Sequence, residues 1–72
     1  MSVSAINARN QFHGRIKEII IGPVVSEVDV ETNEGIVVTS VITTRSVQDL
    51  QLEVGTEVLA LVKSTEVAIA KL

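Results

Sequence analysis

Ile36-Val37-Val38-Thr39-Ser40-Val41-Ile42-Thr43-Thr44-Arg45-Ser46-Val47-Gln48-Asp49-Leu50-Gln51 is the stretch on which the fold turns. Ile36 to Thr43 is nearly apolar on both faces of an extended chain, and such strands are covered on both sides. From Thr44 the pattern changes period. Thr44 or Ser46 can cap a short helix with Asp49 near its start, Val47 and Leu50 at i, i+3 spacing, and an end near Gln51. A strand running into a short helix divides the chain, and the number of strands on each side sets the architecture.

Before it, residues 1–7 are small and polar and read as an arm or short edge strand. From Phe12 the pattern alternates: Phe12, Gly14 and Ile16 on one face, His13, Arg15 and Lys17 on the other. This is a first strand over roughly 10–21. Gly14 inside it suggests a bend, a bulge or a close backbone approach. Ile19-Ile20-Ile21 breaks the alternation and suggests cover on both faces. Gly22-Pro23 is a turn. Val24 to Glu31 alternates again, with Val28 and Val30 inward and Glu27, Asp29 and Glu31 outward. Thr32-Asn33-Glu34-Gly35 is a hairpin loop. After the helix, Glu53-Val54-Gly55-Thr56 is a turn, Glu57 to Lys63 a fourth strand, Ser64-Thr65 a break, and Glu66 to Lys71 a fifth strand. Three strands, a helix and two strands make an all-β, five-stranded, OB-like Greek-key barrel with one short helix between strands 3 and 4. It occupies residues 1–72 as a single domain.

A 72-residue chain buries only about 60% of its unfolded surface and is marginal alone. It has no Cys and one His, so neither disulfides nor a multi-histidine cage within one chain can help. Hydrophobic residues make up 46%. Val and Ile supply 21 of the 72 residues, which is strand chemistry and more apolar surface than a lone small domain hides. Only one face of Ile36–Thr43 can point into a small barrel, so the other is expected to meet another subunit.

The formal net charge is −3, with six Lys/Arg and Phe12 as the sole aromatic. Nucleic-acid binders need a basic face and stacking rings, so that class is disfavoured. A small anion is not, since a few local donors can hold one. Met1 to Asn10 lacks an apolar signal core, and no apolar run is long enough to span a membrane. The expectation is a cytoplasmic protein without membrane contact.

Ala8-Arg9-Asn10-Gln11-Phe12-His13-Gly14 resembles the Ser-Ala-Arg-Asn-Gln-x-x-Gly opening of the molbindins, small molybdate-binding proteins built from one Mop (TOBE-type) domain. Val41-Ile42-Thr43-Thr44-Arg45-Ser46-Val47 resembles that family's strand-to-helix junction. Leu50-Gln51-Leu52 with Gly55, Glu57 and Val58 resembles its post-helix turn, and Leu61-Val62-Lys63-Ser64-Thr65 its Lys-Ala/Ser-Thr segment. The resemblance implies an OB-like barrel assembled as a homohexamer, a trimer of dimers, with molybdate or tungstate bound at subunit interfaces. The ligands it implies are Ala8 through its backbone N–H, Arg9, Thr43, Lys63 and Ser64. Asn7 stands where the family opening has Ser, with Ser4 three residues upstream as the other candidate. The resemblance also implies a second site class near the three-fold axis, for which the Gly22-Pro23-Val24-Val25 turn is the candidate. It further implies that the two motif segments meet across a subunit boundary.

The chemistry suits these residue types. Molybdate is a tetrahedral dianion that only accepts hydrogen bonds. Arg9 offers a fixed fork of N–H donors and a permanent charge, and Lys63 a compact one. Ser64 and Thr43 offer hydroxyls, and the N–H groups of Ala8 and Ser64 neutral donors. Two cations balance a dianion locally, which limits the cost of burying it. Sulfate would be rejected on size; tungstate is nearly the size of molybdate and is expected to bind comparably. Plainer roles exist for each residue. Arg9 and Lys63 are also what solvated surface charges look like, Ser64-Thr65 a simple strand break, Thr43 a simple helix cap and His13 a surface residue. Glu27, Asp29 and Glu31 read as a solvated acidic face before a cation site. Nothing supports nucleophilic catalysis, and the expectation is a binding protein rather than an enzyme. The rival function is an OB-like structural or regulatory oligomerisation module that binds anions incidentally.

Overall fold

Twelve consecutive residues, Asn10–Ile21, form the longest strand, β1, in a computed structural model that describes residues 7–72. β2 (Val25–Thr32) and β3 (Val37–Thr43) follow as antiparallel neighbours. A six-residue helix, α1 (Thr44–Asp49), then leads to β4 (Glu57–Val62) and a 3-10 turn, Ser64–Glu66. The sheet order is β3-β2-β1-β4. β1 serves two partners: its first half pairs with β4 from Asn10↔Val62 to Arg15↔Glu57, and with β2 it pairs from Gly14↔Thr32 to Ile21↔Ser26. The sheet curls, so that β3 (Val38, Ser40, Ile42) and β4 (Val58, Ala60, Val62) line one apolar groove of about 290 Å³.

The alternation read from the sequence holds where it is cleanest. Gly14, Ile16, Val28 and Val30 are buried, while His13, Arg15 and Lys17 are exposed. Val47 from α1 closes the core over Ile16, Val28 and Val30, with Ile19, Ile42, Leu52, Val58 and Ala60 packed around it. Gly14 marks the close approach: a Cβ there would lie 2.3 Å from the Glu31 carbonyl oxygen. The bulge is elsewhere, at Lys17, where the register passes from Ile16↔Val30 to Glu18↔Asp29. One extra residue flips the parity of the rest of the strand. Ile19 therefore turns inward and Ile20 outward, while Ile21, the last residue of the strand, is exposed as well. Gly55, at φ 93°, makes the left-handed turn that lets its N–H reach the Ile16 carbonyl at 2.8 Å and start β4 beside β1.

Of the three residues that could cap the helix, Thr43 does so rather than Thr44 or Ser46, which is its plainer role: Thr43 is extended (φ −66°, ψ 146°) and its hydroxyl accepts from the Ser46 N–H. Thr44 is instead tied down by its side chain, which bonds Ser26 Oγ and donates to the Gly22 carbonyl, both at 2.7 Å. Leu50 is the C-cap residue, past the end of the helix, and is exposed rather than packed beside Val47. The expected fifth strand is not among the strands of the described residues. Val67 is extended, but residues 67–72 pair with no strand among the described residues, and Ile69 and Leu72 are exposed. Over the described residues the architecture is all-β, with four strands and one short helix.

Candidate functional site

β1 and β4 bring the two motif segments together inside one chain. The last rung between them is Asn10↔Val62. One residue beyond it on each strand stand Arg9 and Lys63, although they are more than fifty residues apart in sequence. No second subunit is needed to join these segments, so the implication that they meet only across a boundary is corrected. Ala8 is buried, which anchors the entry to β1, while Asn7, Arg9, Lys63 and Ser64 are exposed beside it. Lys63 leads into the 3-10 turn, where its carbonyl accepts from the Glu66 N–H at 2.8 Å. That turn ends the strand and leaves Ser64 at the same corner of the sheet as Arg9.

Among the described residues, the ion pairs are Arg15–Glu57 (3.7 Å) and Lys17–Glu31 (3.9 Å), and neither Arg9 nor Lys63 takes part in one. Two cations at one strand end are therefore uncommitted. Asn7 is exposed next to them, while Ser4 lies outside the described residues.

Thr43 is not in this cluster. It pairs with Val25, just past the Ile21 end of β1. A twelve-residue strand spans roughly 35 Å if straight, far beyond one small anion. Thr43 is engaged as a helix cap, with its hydroxyl 2.7 Å from Ser46 Oγ. When Ser46 donates that bond, the Thr43 proton stays free to donate outward. Around it Pro23, Val24, Thr44, Arg45 and Gln48 line an open hollow of about 440 Å³. The Gly22–Val25 turn borders this hollow, not the Arg9–Lys63 corner.

Asn10 and Gln11 belong to the motif segment, but the sequence reading gives neither a role in the site. Asn10 Nδ2 donates to the Val62 carbonyl at 3.1 Å, and Gln11 Nε2 to the Ala8 carbonyl at 2.8 Å. The available signal was their adjacency: two successive amides precede the period-2 alternation that begins at Phe12 and do not fit it.

On the outer face of β2, Asp29 Oδ1 is buried without a hydrogen-bond partner. The Asp29 carboxylate is the main cause that holds the Glu27 carboxyl above the usual carboxylate range, with desolvation, a hydrogen bond to Asp29 and the Glu18 charge adding to it. Among the described residues no cluster of His, Cys, Asp or Glu is arranged to hold a metal ion, and no helix is long and apolar enough to cross a membrane.

A small curled antiparallel sheet closed by one short helix defines the class: an OB-like domain. The TOBE domain model matches residues 6–69. Molybdenum-pterin-binding protein 3 of Clostridium pasteurianum is 43% identical over 65 residues, covering 90% of this chain and 96% of the relative. Among solved structures, MopII from Clostridium pasteurianum superposes with a TM-score of 0.88 at 40% identity, over 93% of this chain and 100% of that one. A molybdate-binding protein from Sporomusa ovata also superposes with a TM-score of 0.88, at 37% identity over 94% and 100%. The chain belongs to the TOBE-domain family, among its small molybdenum-pterin-binding (Mop) proteins.

Proposed function

We propose that this protein binds molybdate or tungstate reversibly, without covalent chemistry, and serves in intracellular storage, buffering or homeostasis of the anion. One observation carries the reading. Arg9 and Lys63 stand together one residue past the Asn10↔Val62 rung, uncommitted to any carboxylate. The cytoplasm is the compartment that goes with it. Arg9, Lys63, Ser64 and the Ala8 N–H are the donors from one chain, with Asn7 in the position of the family's Ser.

The anion sits at a subunit interface in this reading. Thr43 is at the far end of its own sheet, so it joins Arg9 and Lys63 only when a second copy supplies it. The surface supports association: four core side chains are buried, against thirteen large exposed apolar ones among the described residues. An open apolar groove between β3 and β4 and an apolar tail at 67–72 in the same chain both call for cover. A homohexamer, a trimer of dimers, is the assembly the family resemblance implies.

Arg9→Ala and Lys63→Ala each remove a charge-assisted donor worth about 1.5–3 kcal/mol, so molybdate affinity should fall roughly ten- to hundredfold in each while the assembly mass is unchanged. Molybdenum should copurify with the unaltered protein after growth with molybdate. Wild-type affinity in both variants would move the site elsewhere.

A further inference from the structure

Asn10 and Gln11 are neighbours in β1, so their side chains leave opposite faces of the strand. Asn10 reaches across to the carbonyl of Val62, and Gln11 reaches back to the carbonyl of Ala8. These two carbonyls have something in common. Each belongs to a peptide unit whose N–H is that of a cationic residue: Ala8–Arg9 in one case, Val62–Lys63 in the other. Peptide units are planar, and among the described residues all are trans. The N–H of a trans unit points opposite to its C=O. A side chain that clamps the carbonyl therefore also sets the direction of the N–H.

We propose that Asn10 and Gln11 are positioning residues for the oxyanion site: their amides clamp the Val62 and Ala8 carbonyls and thereby aim the backbone N–H groups of Lys63 and Arg9. The inference rests on the reading of that corner as the molybdate site. The clamps do two things for a dianion. They fix the direction of each N–H before the anion arrives, and a preset donor is the condition for choosing between oxyanions of different size. They also keep two carbonyl oxygens, which would repel the anion, engaged and turned away. Neither amide touches the anion; each acts through the peptide unit it holds. Only the amide nitrogens can donate to carbonyls, so the orientation of both side chains is fixed by their partners. Packing alone does not account for this pair, since Gln11 is exposed and Asn10 only half-buried.

Asn10→Leu and Gln11→Met keep the bulk and remove the donors. Calorimetric titration of each variant with sodium molybdate and with sodium sulfate reads the effect, with native mass and thermal midpoint measured alongside. Molybdate affinity should drop about tenfold or more and the preference over sulfate should shrink, at unchanged mass and midpoint. A merely structural role would lower the midpoint and leave the preference intact, and that result overturns the proposal. If a variant fails to assemble, the unaltered protein decides: the Arg9 and Lys63 amide resonances should shift more with molybdate than with sulfate, and unmoved resonances overturn it. Arg9→Ala separates the two levels. Lost binding there with full preference in the clamp variants sinks the clamps alone; retained binding in Arg9→Ala sinks the site.

Discussion

At Gly14 the β2 backbone passes so close that no side chain fits, since a Cβ would meet the Glu31 carbonyl oxygen at 2.3 Å. The obstacle is backbone and cannot rotate away. Gly14→Ala should therefore destabilise the fold by about 1–3 kcal/mol, read by denaturant unfolding; an unchanged midpoint would mean the strands separate there without cost. On the outer face, Glu27 carries the opposite kind of strain. Its carboxyl is raised by Asp29 first and Glu18 last, so in the folded state its charged form is disfavoured. Between the unfolded and the raised folded pKa the native state binds more protons than the unfolded one. Stability should therefore fall as pH rises through that window and stay lower above it. Asp29→Asn removes the principal repulsion and should flatten the dependence. A stability curve of the same shape in Asp29→Asn would show that another group sets it.

The elements differ in how far the sequence discloses them. β1 and β2 are legible almost to the residue, because their period-2 alternation is a direct image of one face buried and one exposed; β3 is legible instead as an apolar run bounded by a Gly turn and a change of period. The inward turn of Ile19 is not legible. A bulge at Lys17 reverses parity without any local mark in residue type. The cap is legible only as a choice among Thr43, Thr44 and Ser46, since all three are competent and the tertiary bonds of Thr44 to Ser26 and Gly22 decide among them. Thr43→Ala should cost about 1 kcal/mol of stability, and Thr43→Ser should restore it. Equal stability in both would make the cap bond dispensable. The expected fifth strand joins no sheet among the described residues: its pattern is that of a strand, but pattern carries no information on where a pairing partner lies.

At the scale of the molecule, the candidate site divides in two. Ala8, Arg9, Lys63 and Ser64 are legible as a group only through the family resemblance, because nothing in a sequence reports that residues fifty apart share a strand end. The fold supplies that through β1 pairing with β4. Thr43 is expected with them, yet one chain holds it at the opposite end. Under the proposed function a complete donor set requires two copies, which would link binding to assembly and let the anion stabilise the assembly by mass action. Added molybdate should raise the thermal midpoint and protect the oligomer from dilution. A monomer at micromolar concentration that still binds molybdate at full strength would break the link.

The most direct measurement is a calorimetric titration of molybdate into the purified assembly, repeated in excess sulfate. A saturable molybdate isotherm that sulfate displaces only at far higher concentration is the predicted result. No heat of binding, or equal affinity for the two anions, would contradict it.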